Sequence, residues 1–148
     1  MKLFCENHEK LPEAFLPNSS TKECFSTHGL DEFTLLHFIS GLIGKKVFPN
    51  KKIYLPLSMH LLWEYLETTE VGKKIFSDNL IINGSRIKYE GDSYMNSTVD
   101  NIAFTLGYYL QKKIDLSKKD LTLIYIISYL LVYRSSNKRF TPLVMKKN

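Results

Sequence analysis

Cysteine is scarce in this chain, and what there is carries little information. Only Cys5 and Cys24 occur, without a Cys-x-x-Cys spacing, so a zinc module completed by His8 and His28 is disfavoured. A single disulfide and two free thiols both remain open for the pair. Arginine is nearly missing, with three in 148 residues, and the net charge of +5 comes largely from lysine doublets between apolar segments. A nucleic-acid binder collects arginine and lysine on one face with interleaved aromatics, so no nucleic-acid partner is expected. No nucleophile elbow, phosphate loop or zinc-protease motif is present; the reading leans away from an enzyme and requires no cofactor. No continuous apolar core stands near the first residues, so a secretory signal peptide is not expected. Long apolar runs are missing too. The final one, Leu121 to Tyr133, has 13 residues and reaches about 20 Å as a helix, short of the roughly 30 Å hydrocarbon core of a bilayer.

What is present is an ordinary share of apolar residues (44%) and of charges (24%), which excludes global disorder and gives one domain with a sizeable core. The informative stretch runs from Gly91 to Tyr108. At 100° per residue Asp92, Asn96, Asp100, Ala103 and Gly107 share one stripe of a helix, and Tyr94, Met95, Val99, Ile102, Leu106 and Tyr109 lie largely opposite. In water the bulky side would pack on a core and the acids would be wet. In a bilayer the bulky side would face lipid and the acids would turn inward to partners.

Earlier segments repeat the theme. Residues 1–30, with Pro12, Pro17 and Gly29, read as an irregular N-terminal arm. Leu30 to Phe48 reads as a helix begun by Asp31 and Glu32, with His37, Ser40, Gly41 and Gly44 on one contact face. Ile53 to Thr69 reads as a second helix, with Pro56 in its first turn. There His60, Trp63, Glu64 and Glu67 lie opposite Leu61, Leu62 and Leu66; such a face can bind a metal, exchange protons or simply hydrogen-bond to a neighbouring helix. Residues 70–90 read as a loop with a hairpin, Leu121 to Tyr133 as a buried or lipid-facing helix, and residues 135–148 as a loose basic tail.

Run length alone favours a soluble bundle. Three blocks reverse that order: His37-x-x-x-Gly41, Trp63-Glu64-x-x-Glu67, and Gly91-Asp92-Ser93-x-x-Asn96-Ser97-x-x-Asp100 followed by Leu106-Gly107-Tyr108. In order and spacing, residues 34–110 resemble the uncharacterised bacterial membrane-protein family known as DUF2585 or UPF0314, and more distantly VanZ-like membrane proteins. The chain departs from the family pattern at Ser40, where the family has a second histidine, and at Thr68, where it has asparagine. It also lacks the family's close cysteine pair and additional N-terminal membrane helix. The resemblance implies a multi-pass membrane protein with an interior polar cluster, and brings no established reaction.

The expected fold is therefore all-α, a compact, membrane-embedded bundle of about four short helices over residues 31–134. Its candidate cluster is His37, Glu64, Glu67, Asp92, Ser93, Asn96 and Asp100, with Glu64, Glu67, Asp92 and His37 as candidate ligands for a divalent metal. The expected role is structural or anchoring rather than catalytic. One alternative is a scaffold subunit of a membrane-associated assembly, such as a minor capsid component of a membrane-containing virus, holding other protein subunits through residues 1–30 and the tail. Another is a soluble helical binding module. The short connections at Lys45 to Lys52 and Lys112 to Lys119 each carry four lysines, which by the positive-inside rule puts both termini on the non-cytoplasmic side.

Overall fold

The computed structural model describes residues 29–31, 33–79, 81–82, 85–86 and 91–145, with backbone alone at 76–79, 81–82, 85–86 and 135–145. It is all-α apart from one small hairpin. Five helices are described: α1 (Thr34–Val47), α2 (Tyr54–Thr68), α3 (Glu70–Asn79), α4 (Tyr94–Ile114) and α5 (Lys118–Met145). Between α3 and α4, β1 (Ile81–Ile82) pairs antiparallel with β2 (Ser85–Arg86).

Local chemistry sets the helix ends. Asp31 Oδ1 accepts hydrogen bonds from the backbone N–H groups of Phe33 (2.8 Å) and Thr34 (3.0 Å), satisfying donors that the first turn of α1 leaves open. Ser93 caps α4 by accepting from the Asn96 N–H at 3.0 Å. The far end of α4 closes on Asp115, whose φ of 46° is left-handed, with its N–H donating to the Gln111 carbonyl.

α1 and α4 form the most intimate pair. Gly41 on α1 lies against the backbone carbonyl of Phe104, and Gly107 on α4 lies against that of Phe38, so each helix offers a glycine to the other's main chain. Only the absence of Cβ permits this approach. Ile39 and Leu42 of α1 then bury against Leu121 of α5, flanked by Phe38, Ile43, Leu116 and Ile124. α2 stands farther from both partners and meets them chiefly through side chains.

Two differences from the sequence reading have physical causes. Residues 70–79, expected as loop, form α3, because Gly72 fits against the Leu66 carbonyl and lets the chain turn a tight corner after α2. The bundle thus has five helices among the described residues, not about four. Residues 135–145, expected as loose tail, continue α5 as helix to Met145; basic residues such as Lys138 and Arg139 are good helix formers. The arm at residues 1–28, with Cys5 and Cys24, lies outside the described residues.

Burial is inverted relative to a surface helix. On α2 the buried residues are Pro56, His60, Glu64 and Glu67, while Leu61, Leu62, Trp63, Tyr65 and Leu66 are exposed. On α4, Asn96, Asp100 and Gln111 are buried together with Ala103, Phe104, Gly107 and Tyr108, and Ile102, Leu106 and Tyr109 are exposed. α5 buries Leu121, Ser128 and Val132 and leaves Leu123, Ile126, Ile127, Leu130 and Leu131 exposed. Monomeric soluble proteins rarely expose a contiguous apolar surface of this kind.

Candidate functional site

The buried polar residues of α1, α2 and α4 converge. His37 comes from α1, one turn before Gly41, so the glycine contact that draws α1 onto α4 also carries its imidazole toward Asp100. The His37 Nε2 to Asp100 Oδ2 separation is 3.7 Å. From α2, the i, i+4 pair His60 and Glu64 faces the same point. His37 Nδ1 lies 3.1 Å from Glu64 Oε1 and 2.9 Å from His60 Nε2, and His60 Nε2 lies 3.5 Å from Glu64 Oε1. The two imidazole rings meet edge to face at 89°, and His60 also packs on the Phe104 ring at 4.3 Å between centroids.

The far ring nitrogen of His60, Nδ1, is 3.0 Å from Asn101 Oδ1. Asn101 in turn donates from Nδ2 to the Ser97 carbonyl at 2.7 Å, one turn earlier in α4. Glu64 is only 3% exposed, and its Oε2 has no hydrogen-bond partner among the described residues.

Deeper along α2, one turn past Glu64, the ligand atoms of Glu64, Glu67 and Asp92 all lie within 4.8 Å of one another. Glu67 and Asp92 are in hydrogen-bond contact. Asp92 precedes α4 just after Gly91, whose φ of 88° favours glycine. Ser93 and Asn96 are each 1% exposed and complete the floor through their capping bond.

All seven residues singled out from the sequence are buried or nearly so, but they form two overlapping groups rather than one. His37 joins His60 and Glu64; Glu64 joins Glu67 and Asp92. The expected metal set of Glu64, Glu67, Asp92 and His37 is thus divided, with Glu64 common to both halves. His60 was visible on the α2 face, and the i, i+4 spacing of His60 and Glu64 was its signal. Asn101 gave none, because its role depends on how α2 is rotated against α4.

Beside the cluster lies a cavity of about 550 Å³. His37, His60 and Glu67 reach it, and its remaining wall is mostly apolar and aromatic, including Trp63, Phe104 and Tyr125. At the opposite end of the bundle the two lysine-rich connections meet. Lys46 Nζ pairs with Asp115 Oδ1 at 2.8 Å, and the Tyr108 hydroxyl donates to the Lys51 carbonyl at 2.7 Å. The Lys46 ammonium holds the exposed Asp115 carboxyl below the usual aspartate range.

No protein-family model, curated protein or solved structure matches this chain.

Proposed function

We propose that this chain is a small integral membrane protein, anchored in lipid by its outer helix faces and held in register by its polar interior. One observation carries the reading: α2 and α4 bury His60, Glu64, Glu67, Asn96 and Asp100 while most of their leucines and isoleucines, like those of the middle of α5, stand exposed. In water, leaving so many large apolar side chains exposed would forgo about 1.5–3 kcal/mol for each one that could instead be buried. In hydrocarbon the same surface costs nothing, and the buried polar groups supply the interhelical contacts that apolar packing lacks there.

No helix among the described residues is long and apolar enough to cross a membrane. For α4 the shortfall is one of apolarity. Its 21 residues give about 31 Å, a bilayer's hydrocarbon thickness; of the residues that dilute it, Asn96, Asp100 and Gln111 are buried in the bundle, and the exposed Lys112 and Lys113 stand in its last turn. α1 and α2, with 14 and 15 residues, reach only about 21–23 Å; local bilayer thinning and snorkelling lysines or interfacial tyrosines close such a gap. Lys46 beside Asp115 supports the expectation that both lysine-rich connections share the cytoplasmic face, with the termini opposite. The resemblance of residues 34–110 to DUF2585 and VanZ-like membrane proteins points the same way.

Within the membrane the role is structural or anchoring, and other protein subunits are the natural partners of residues 1–30 and the basic tail, as in the capsid-scaffold alternative. The cavity favours a second reading, a site for a small, largely apolar molecule next to the histidines. Carbonate extraction of membranes from expressing cells tests the anchoring. The protein should stay in the pellet and come out only with detergent. Recovery as a monodisperse species in the aqueous fraction refutes the proposal and leaves the soluble binding module.

A further inference from the structure

The buried junction of His37, His60 and Glu64 is organised around protons in a way that leaves one position to be filled. Asn101 donates an Nδ2 hydrogen to the Ser97 carbonyl, so its Oδ1 faces His60 Nδ1 and accepts from it. The neutral His60 ring then carries its proton on Nδ1, and Nε2 presents a lone pair toward His37 Nδ1, 2.9 Å away. The outer nitrogen of His37, Nε2, looks toward the Asp100 carboxylate at 3.7 Å. Each imidazole therefore has its outer nitrogen oriented by a neighbour and its inner nitrogen turned to the same spot as Glu64 Oε1.

A single N–H on His37 Nδ1 serves only one of the two acceptors facing it. Among the described residues the other remains a buried lone pair or a buried negative oxygen without a donor, and Glu64, at 3% exposure, has none for Oε2 either. One cation satisfies all three inner atoms together. Their separations of 2.9, 3.1 and 3.5 Å leave a point ~2 Å from each and ~1 Å off their plane, the metal-to-ligand distance and pyramidal base of a tetrahedral zinc-type site. Two nitrogens and one carboxylate oxygen select a first-row divalent ion over magnesium or calcium, which take oxygen donors.

We propose that His37 Nδ1, His60 Nε2 and Glu64 bind one first-row divalent cation of the zinc class, with Asn101 and Asp100 orienting the two imidazoles from behind. Such backing of ligating histidines by amide and carboxylate groups is the usual support of a metal site. The fourth position is open, because His37 and His60 both line the cavity, and a water or a donor atom of a small molecule takes it. The site stands on side-chain geometry alone and holds whether the outer faces meet lipid or water.

The test uses the full chain, purified in mild detergent or in buffer according to where it fractionates, stripped with chelator and titrated with Zn²⁺ and Co²⁺. Expected are one equivalent bound, a raised unfolding temperature, and the intense visible absorption of four-coordinate Co²⁺. Glu64→Gln or His60→Ala should abolish that absorption, while Asn101→Ala, which keeps every ligand, should weaken binding about 10- to 100-fold. Glu70→Gln, an exposed carboxylate on α3, should change nothing. Should Glu64→Gln or His60→Ala fail to fold, the wild-type titration and Asn101→Ala still decide. A folded wild-type chain that takes up no cation, a six-coordinate Co²⁺ spectrum, or unchanged binding in Asn101→Ala overturns the proposal. The first of these outcomes would assign the junction to a shared proton.

Discussion

Gly107→Ala should loosen the α1–α4 pair. A Cβ at residue 107 would overlap the Phe38 carbonyl oxygen and stand 3.2 Å from the Leu42 nitrogen. An ordinary carbon–oxygen contact is about 3.4 Å, so α1 and α4 must part by more than about 1 Å. The obstructing atoms are main chain and no side chain can swing aside. Overpacking of this sort costs about 1–3 kcal/mol, occasionally more, and the upper end applies. Replacing glycine by alanine inside a helix returns about 1 kcal/mol through propensity, leaving a net loss of about 2 kcal/mol. Equilibrium unfolding of the purified protein, followed by circular dichroism, measures it. Gly41 meets the Phe104 carbonyl in the reciprocal way, so one separation relieves both clashes, and Gly41→Ala with Gly107→Ala should cost clearly less than the sum of the two. If Gly107→Ala matches or exceeds wild-type stability, propensity alone is being measured and the close backbone contact is wrong.

Other expectations are smaller or simpler. Ser93→Ala removes the side-chain acceptor for the Asn96 N–H and should lower stability by about 1 kcal/mol in the same unfolding measurement. Asp115 should titrate below the ordinary aspartate range by NMR and return toward it in Lys46→Ala. Because its folded value is depressed, any stability it adds is present above the unfolded value and fades as pH falls through the folded one; at this exposed pair Asp115→Asn should leave unfolding unchanged. Replacing the exposed Leu62, Leu106 and Leu130 together by glutamine should release the protein from membranes if those faces meet lipid, while a water-exposed surface would accept the change with improved solubility.

Periodicity was enough to find much of this arrangement. The stripe Asp92, Asn96, Asp100, Ala103 and Gly107 is buried along its whole length, and His37 with Gly41 faces α4, because a 3.6-residue period fixes which side chains share a face without reference to any other helix. Residues 70–79 were missed because Gly72 reads as a loop residue, although its lack of a side chain is what permits the corner. The extent of α5 was missed because apolar content ends at Tyr133 and helix does not. Most of all, the division of the acids around Glu64 depends on the rotation of α2 against α1 and α4, a tertiary quantity that no single helix encodes. Asn101 shows the same gap, lying one residue and about 100° from Asp100 yet serving a different histidine.

The two seams of the bundle differ in what they need in order to form. The α1–α4 seam closes chiefly on glycine against carbonyl, a contact that does not titrate, with the His37–Asp100 pair beside it. The seam that attaches α2 closes through His60, Glu64 and Glu67, and uncompensated charge keeps such a surface apart. Attachment of α2 to the α1–α4 pair therefore depends on the protons or cations that neutralise its inner face, a dependence that the glycine contact does not share.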